Sequence, residues 1–177
     1  NVTLHANCVI HKNSIIGDKT IIHSNAVIGS EGLIKKLSKH FDIVLTTSTP
    51  SGLRKAKEIH SKNTVIHYAP WDLNFIVNRF IKFYEPDAIL VFETELWPSM
   101  ISIAYKKNIP LYLMNGRLSQ KSYQTYELWS WLFGDIFQKI TFLFVQTSAH
   151  KERFSKLGIT EDRIAIAGSV KFDINEK

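Results

Sequence analysis

Cysteine is nearly absent from this sequence, with Cys8 alone among 177 residues. A single cysteine excludes an intramolecular disulfide framework and a zinc site built from several cysteines. Glycine and proline are also scarce, at 8 and 5 residues, which excludes collagen-like and low-complexity chains. No hydrophobic run approaches the ~20 residues that span a bilayer, and the first residues show no signal-peptide pattern. The chain does not begin with Met, so we expect a fragment of a longer protein.

The composition that remains is typical of a folded globular chain, with 45% hydrophobic and 21% charged residues. The 22 Lys and Arg exceed the 16 Asp and Glu, and most of the excess lies in residues 33–62, which carry a net charge of +5. A basic region of this kind predicts an anionic partner, whether a membrane surface, a phosphate or a nucleic acid. The alternative interpretation is a pair of solvated helix faces.

Residues 1–33 follow a six-residue period. Aliphatic residues keep two phases and small residues a third: Leu4, Ile10, Ile16, Ile22 and Ile28; Val9, Ile15, Ile21, Val27 and Leu33; Cys8, Ser14, Thr20, Ala26 and Gly32. The period predicts short parallel strands stacked as a solenoid. It resembles the left-handed β-helix of hexapeptide-repeat acyltransferases, above all the UDP-3-O-acylglucosamine N-acyltransferases of lipid A synthesis. The catalytic histidine of that family has no matching position, so we expect this repeat to be inactive.

From residue 33 onward, strand and helix patterns alternate. Strands are predicted at 43–47, 64–68, 88–92, 110–114, 141–145 and 163–167, and helices near 33–37 and at 53–60, 73–84 (with Asp72 as its N-cap), 98–107, 122–139 and 150–157. This alternation predicts an α/β fold, a Rossmann-like parallel sheet with helices on both faces. Ligands of such sheets bind beyond the carboxyl ends of the strands.

Five motifs lie at or near those ends. They are Thr46-Thr47-Ser48-Thr49-Pro50-Ser51-Gly52, Glu93-Thr94-Glu95-Leu96-Trp97-Pro98, Asn115-Gly116-Arg117-Leu118-Ser119 with Ser122 and Tyr126, Arg153-Phe154 with Leu157-Gly158, and Gly168-Ser169-Val170-Lys171-Phe172-Asp173. In order and spacing they resemble the N-terminal domain of 3-deoxy-D-manno-octulosonic acid (Kdo) transferases over residues 33–177. The resemblance implies the N-terminal half of a GT-B glycosyltransferase that moves Kdo from CMP-Kdo to a lipid A precursor in lipopolysaccharide biosynthesis. CMP-Kdo would bind a second domain that this sequence lacks, so we expect the fragment to be inactive alone.

The resemblance also assigns roles to residues. Glu93 and Lys171 match the pair that stabilises an oxocarbenium-like transition state and the departing phosphate. The general base of the family is a glutamate after the first strand, and Glu31 is the candidate here. Its loop is shorter than the family's, because repeat sequence occupies the place of the first strand. The predicted substrate-binding residues are Glu95, Asn115, Arg117, Thr47, Ser48 and Gly52. Alternatively, Glu93 and Glu95 cap the following helix and Arg117 pairs with one of them.

The resulting predictions divide the chain at residue 32, with a repeat fragment over 1–32 and a Rossmann-like domain over 33–177. The expected partners are CMP-Kdo, the lipid A precursor and the cytoplasmic surface of the bacterial inner membrane, to which the protein would bind peripherally. No nucleic acid, metal or cofactor is expected. An apolar helix at 123–137 is either core or lipid-facing. The two rival functions are a hexapeptide-repeat N-acyltransferase and a non-catalytic module that binds anionic surfaces.

Overall fold

The computed structural model describes residues 3–4, 20–24, 38–58, 63–92 and 96–168, and for 3–4, 20–24 and 132–134 it describes the backbone alone. The strands are β1 (Thr3–Leu4), β2 (Thr20–Ser24), β3 (Ile43–Thr47), β4 (Thr64–Tyr68), β5 (Ala88–Phe92), β6 (Leu111–Gly116), β7 (Phe142–Val145) and β8 (Ile164–Ile166). The helices are α1 (Pro50–Glu58), α2 (Asn74–Tyr84), α3 (Pro98–Lys106), α4 (Gln120–Leu128), α5 (Ser130–Gln138) and α6 (Ser148–Lys156), and a 3₁₀ turn at Glu161–Arg163 precedes β8. Among these helices, none is long and apolar enough to cross a bilayer.

The strands form one parallel sheet in the order β4-β3-β2-β5-β6-β7-β8, and β1 also pairs with β5. The chain runs outward from β2 to β4, returns to β5, and runs outward again to β8. Such a reversal creates a topological switch point between β2 and β5, where ligands of doubly wound sheets bind. The predicted Rossmann-like α/β fold is therefore confirmed.

Burial follows the position of each strand in the sheet. Every residue of β3 and β5 is buried, whereas no residue of the edge strand β4 is. Internal parallel strands are covered on both faces, which explains why β5 is apolar throughout and why the two threonines of β3 are buried. One hydrophobic cluster joins α2, α3, α5 and α6 to strands β5–β8, and includes Val77, Ile81, Ile89, Val91, Met100, Leu113, Phe137, Leu143 and Phe154.

The strands at 43–47, 64–68 and 88–92 have the predicted bounds, but the predicted helix over 122–139 is wrong as a single element. The chain breaks at Trp129 between α4 and α5. The rings of Tyr126 and Phe137 pack 5.5 Å apart, whereas on one straight helix these residues would be roughly 16 Å apart. Packing of the two aromatic rings against each other therefore accompanies a corner that helix propensity does not predict.

The residues on the two sides of this corner differ in burial, so the apolar segment at 123–137 is neither all core nor all exposed surface. Ile136 and Phe137 are buried, whereas Leu128, Trp129 and Trp131 are exposed. The apolar stretch thus has a core-facing end and an exposed tip.

The described pieces of the repeat segment, β1 and β2, lie in the sheet. Ile21 and Ile22 of β2 face Ile89 and Leu90 of β5, and Thr3 and Leu4 of β1, eighteen residues earlier, have the same partners. The rest of 1–32 lies outside the described residues, and the β-helix and the division at residue 32 stay predictions.

Candidate functional site

The carboxyl ends of the strands form one edge of the sheet, and motif residues lie along it. Thr47 ends β3, Asn115 and Gly116 end β6, and Gln146 follows β7. Since β2 and β5 separate β3 from β6, and strands lie about 4.8 Å apart, the ends of β3 and β6 are roughly 14 Å apart. An edge of this width suits an extended polar ligand that lies across the switch point.

The segment that joins β3 to the first turn of α1, residues 47–52, is closed by its own hydroxyl groups. The Thr47 hydroxyl accepts the N–H of Thr49 at 3.4 Å, and the Thr49 hydroxyl accepts the N–H of Gly52 at 3.0 Å. A Cβ on the buried Gly52 would lie 2.2 Å from Thr47 Oγ1. Gly52 is therefore required by close packing, and we call residues 47–52 the strand-3 turn.

The turn after β6, residues 115–119, is held by a neighbouring strand end, and we call it the strand-6 turn. Asn115 has a left-handed backbone with φ of 54°, and its side-chain oxygen accepts an N–H from Gln146 Nε2 at 2.7 Å. The backbone N–H of Gln146 donates to the Gly116 carbonyl at 3.2 Å. Arg117 follows as an exposed residue at the edge.

Two side chains of α6 hold the next residue, the buried Leu118. Its carbonyl accepts Arg153 Nη1 at 2.6 Å, and Arg153 Nε donates to Gln120 Oε1 at 3.2 Å. Nδ1 of His150 lies 3.2 Å from the Leu118 nitrogen, 3.1 Å from the Leu118 carbonyl oxygen and 3.5 Å from Arg153 Nη1, which already donates to that carbonyl. A hydrogen on Nδ1 would face the guanidinium, so we assign Nδ1 as the acceptor of the Leu118 N–H.

The prediction that Asp72 is the N-cap of the helix at 73–84 is wrong. Asp72 does not cap α2, whose N-cap is Leu73 with no side-chain hydrogen bond. Its two carboxylate oxygens instead accept the N–H groups of Ser99 and Met100 at 3.1 and 2.9 Å, and Ser99 Oγ donates to the Asp72 carbonyl at 2.8 Å. Asp72 therefore caps α3, the helix that follows the motif at 93–98. Burial raises the pKa of this carboxyl, and the two backbone hydrogen bonds partly oppose that rise.

The structure places some predicted site residues and not others. Thr47, Gly52, Asn115 and Arg117 lie at the carboxyl edge, with Ser48 exposed beside them. The predicted residues Glu31, Glu93, Glu95 and Lys171 lie outside the described residues, so their roles stay predictions. In the chain, Glu31 follows β2, the strand beside the switch point.

Sequence reasoning missed the roles of His150 and Arg153. Their spacing of three residues places both on one helix face, just after the carboxyl end of β7, and that spacing was the available signal. Chemically, the described edge offers hydroxyls, amides and one exposed guanidinium, which suit a polyhydroxylated or anionic ligand. Within the described ranges, no three His, Cys, Asp or Glu residues cluster as a metal site would require.

Comparison with solved structures supports the fold. The chain is similar to the Staphylococcus aureus MnaA–UDP structure, with a TM-score of 0.57 and 14% identity over 82% of this chain and 41% of that one. It is also similar to UDP-N-acetylglucosamine 2-epimerase from Rickettsia bellii, with a TM-score of 0.56 and 13% identity over 82% and 43% of the two chains. At this identity the likeness concerns the fold alone, which is consistent with one half of a GT-B protein.

Comparison of sequences identifies the family. The chain is 32% identical to the 3-deoxy-D-manno-octulosonic acid transferase of Haemophilus influenzae, over 81% of this chain and 34% of that protein. It is 31% identical to the bifunctional glycosyltransferase/methyltransferase of Fusobacterium nucleatum, over 82% and 23%. It spans about a third of the length of the first of these relatives. A family model described as 3-deoxy-D-manno-octulosonic-acid transferase matches residues 27–174, and neither rival function is favoured. The chain therefore belongs to the family of 3-deoxy-D-manno-octulosonic-acid (Kdo) transferases.

Proposed function

We propose that this chain is the acceptor-binding half of a glycosyltransferase that transfers Kdo from CMP-Kdo to a lipid A precursor in lipopolysaccharide biosynthesis. The observation that carries the proposal is the convergence of family motifs on one sheet edge, where Thr47 and Asn115 end strands on either side of the switch point. Since the match covers about a third of the Haemophilus relative, CMP-Kdo binding is assigned to a part of the protein beyond this chain.

The reaction breaks the ketosidic bond of the donor and passes through an oxocarbenium-like state. In the proposal, the carboxylate of Glu93 stabilises the positive charge on the sugar, and the ammonium of Lys171 stabilises the departing phosphate. A base must remove the proton of the acceptor hydroxyl as the new bond forms. We assign this step to Glu31, because it follows β2 in the chain and β2 borders the switch point.

The remaining edge residues would bind the acceptor. Arg117 would pair with a phosphate or carboxylate, since a guanidinium binds such groups through two hydrogen bonds. Thr47, Ser48 and Asn115 would hydrogen-bond hydroxyl groups of the sugars. Gly52 would keep the strand-3 turn compact, and Glu95 would support the site beside Glu93.

We further propose peripheral binding at the cytoplasmic face of the bacterial inner membrane. Trp71 and Phe75 are 78% and 73% exposed, and they follow the carboxyl end of the edge strand β4. Arg54, Lys55 and Lys57 are exposed on α1, which packs against β3 and β4. Exposed aromatic rings and exposed basic residues, on segments that adjoin the same edge strand, suit an interface with anionic lipid.

Titration of the chain with a lipid A precursor in detergent micelles tests the proposal, with tryptophan fluorescence as the readout. We expect saturable binding that Arg117→Ala weakens roughly ten-fold, as loss of a charge-assisted hydrogen bond predicts. Lys121→Ala is the matched control, since Lys121 is an exposed cation four residues further along the chain. Equal binding of detergent micelles without precursor would contradict the assignment.

A further inference from the structure

The residues on both sides of Arg117 are fixed by groups from a different part of the chain. The Gly116 carbonyl accepts the N–H of Gln146 at 3.2 Å. The Leu118 N–H donates to His150 Nδ1 at 3.2 Å, and the Leu118 carbonyl accepts Arg153 Nη1 at 2.6 Å. These partners are 30 to 35 residues away in the sequence, so nothing local supplies them.

The contacts satisfy a buried backbone that has no partner within its own turn. Leu118 is fully buried, although Arg117 beside it is exposed. A buried N–H and C=O must both be paired, and here one helix pairs both. His150 and Arg153 lie three residues apart on α6 and therefore face Leu118 together.

We propose that His150 and Arg153 are positioning residues for Arg117: by holding the backbone of Leu118 they fix where the Arg117 side chain leaves the sheet edge. The inference rests on the proposed role of Arg117 in binding the acceptor. Arg153 adds a second constraint, because its Nε donates to Gln120 Oε1 at 3.2 Å at the start of α4. Helix α6 is thus joined to the strand-6 turn at the N–H and C=O of Leu118, and to the start of α4 at the Gln120 side chain.

The chain contains a matched control for Arg153. Arg163 also donates Nη1 to backbone carbonyls, those of Gln138 and Ile140 at 3.0 and 3.2 Å, and its Nε donates to Thr160 Oγ1 at 3.1 Å. Those carbonyls precede β7, at the opposite edge of the sheet from Arg117. Arg163→Ala therefore removes a comparable set of hydrogen bonds without touching the proposed site.

The first measurement uses backbone ¹⁵N relaxation of the chain and needs no ligand. In Arg153→Ala and His150→Ala we expect the order parameters of residues 116–118 to fall from about 0.85 toward 0.6, the range of flexible backbone. His150→Asn should keep most of the order, because its side-chain oxygen can accept the Leu118 N–H in place of Nδ1. Arg163→Ala should leave the order parameters of residues 116–118 unchanged. It should lower the thermal midpoint of unfolding about as much as Arg153→Ala does.

The second measurement is the affinity for lipid A precursor in micelles. We expect Arg153→Ala to weaken binding roughly ten-fold, as Arg117→Ala does, and the double variant to be no weaker than either single variant, since both act through one contact. Arg163→Ala should bind as the parent chain does.

The outcomes separate the two claims. Unchanged order at 116–118 in Arg153→Ala would overturn the positioning role, whatever the ligand does. Lost order with unchanged affinity would also overturn it, because a mobile Arg117 would then bind equally well. If the parent chain binds no precursor, the proposed function fails, and the relaxation data still decide whether α6 fixes the backbone at Arg117.

Discussion

The two turns at the carboxyl edge are built in opposite ways. In the strand-3 turn, the hydroxyls of Thr47 and Thr49 accept N–H groups two and three residues ahead, so the turn closes on itself. In the strand-6 turn, the partners of Asn115 and Leu118 are Gln146, which follows β7, and side chains of α6, 31 to 35 residues later. A local turn can form before the fold is complete, whereas the second turn depends on the assembled sheet and helices.

The largest effect is expected from breaking the local turn with Gly52→Ala. The added Cβ would meet Thr47 Oγ1 at 2.2 Å and Thr49 Oγ1 at 3.0 Å, so the Thr47 side chain or the backbone of the turn must shift. Overpacking of this kind costs about 1–3 kcal/mol, which urea unfolding should show. Thr47→Ala together with Gly52→Ala should recover part of that loss, because the obstructing hydroxyl is gone. Strictly additive losses in the double variant would show that the contact is not the cause.

A second long-range contact joins Asp72 to the start of α3, and its loss can be compared with the loss of the local turn. Asp72→Ala removes the acceptor of two backbone N–H groups, and loss of such a cap costs about 0.5–2 kcal/mol of unfolding free energy. Asp72→Asn should cost less, since one side-chain oxygen remains. Asp87→Asn, a change at an exposed aspartate, is the control and should be neutral.

The same residue predicts a pH dependence. Burial raises the pKa of Asp72 in the folded chain, so the folded state holds this proton more tightly than the unfolded state. The stability linked to this group is therefore complete below its unfolded pKa and decreases as pH rises through the folded pKa. The stability difference between the parent chain and Asp72→Asn should shrink over that interval in urea unfolding. A difference that grows with pH would contradict the raised pKa.

The carboxyl end of the edge strand β4 supplies a smaller test, of membrane binding. Phe75 and Phe83 are 73% and 78% exposed at opposite ends of α2, and only Phe75 is near the carboxyl edge. We expect Phe75→Ser to reduce cosedimentation with anionic vesicles roughly five-fold, as partial burial of one ring predicts. Phe83→Ser is the matched control. Equal losses in both variants would show that the membrane-binding face does not lie at the carboxyl edge.

The smallest effect is expected from the local part of the strand-6 turn. Ser119 caps α4 by accepting the N–H of Ser122 at 3.0 Å. Ser119→Ala should cost no more than about 1 kcal/mol in urea unfolding, because the long-range contacts of Leu118 remain. Gln124→Ala, on an exposed position of α4, is the control. A larger loss than that of Asp72→Ala would mean that the strand-6 turn is also held mainly by its own residues.

The sequence by itself predicts the elements whose signal is local. The strand at 88–92 is a continuous apolar stretch and the strand at 43–47 is an Ile-Val-Leu run followed by two threonines; both are bounded by turn residues, and their bounds are confirmed. Ligands of parallel sheets bind beyond the carboxyl ends of the strands, and the sequence likewise predicts that Thr47, Asn115 and Arg117 lie at that edge. These predictions succeed because side-chain period and strand direction are properties of short segments.

Tertiary structure decided which distant groups meet. The sequence pattern at Asp72 suits a cap for the next helix, yet the loop geometry presents its carboxylate to α3, 27 residues later. The break at Trp129 brings Tyr126 onto Phe137, a contact that one continuous helix would not make and that helix propensity does not predict. The pairing of His150 and Arg153 with Leu118 needs β6 and β7 side by side, and strand order is not written in any local pattern. Local periodicity determines most of the strands and helices, whereas the strand order of the sheet, a cooperative property of the whole core, determines which distant groups meet at Leu118 and position Arg117.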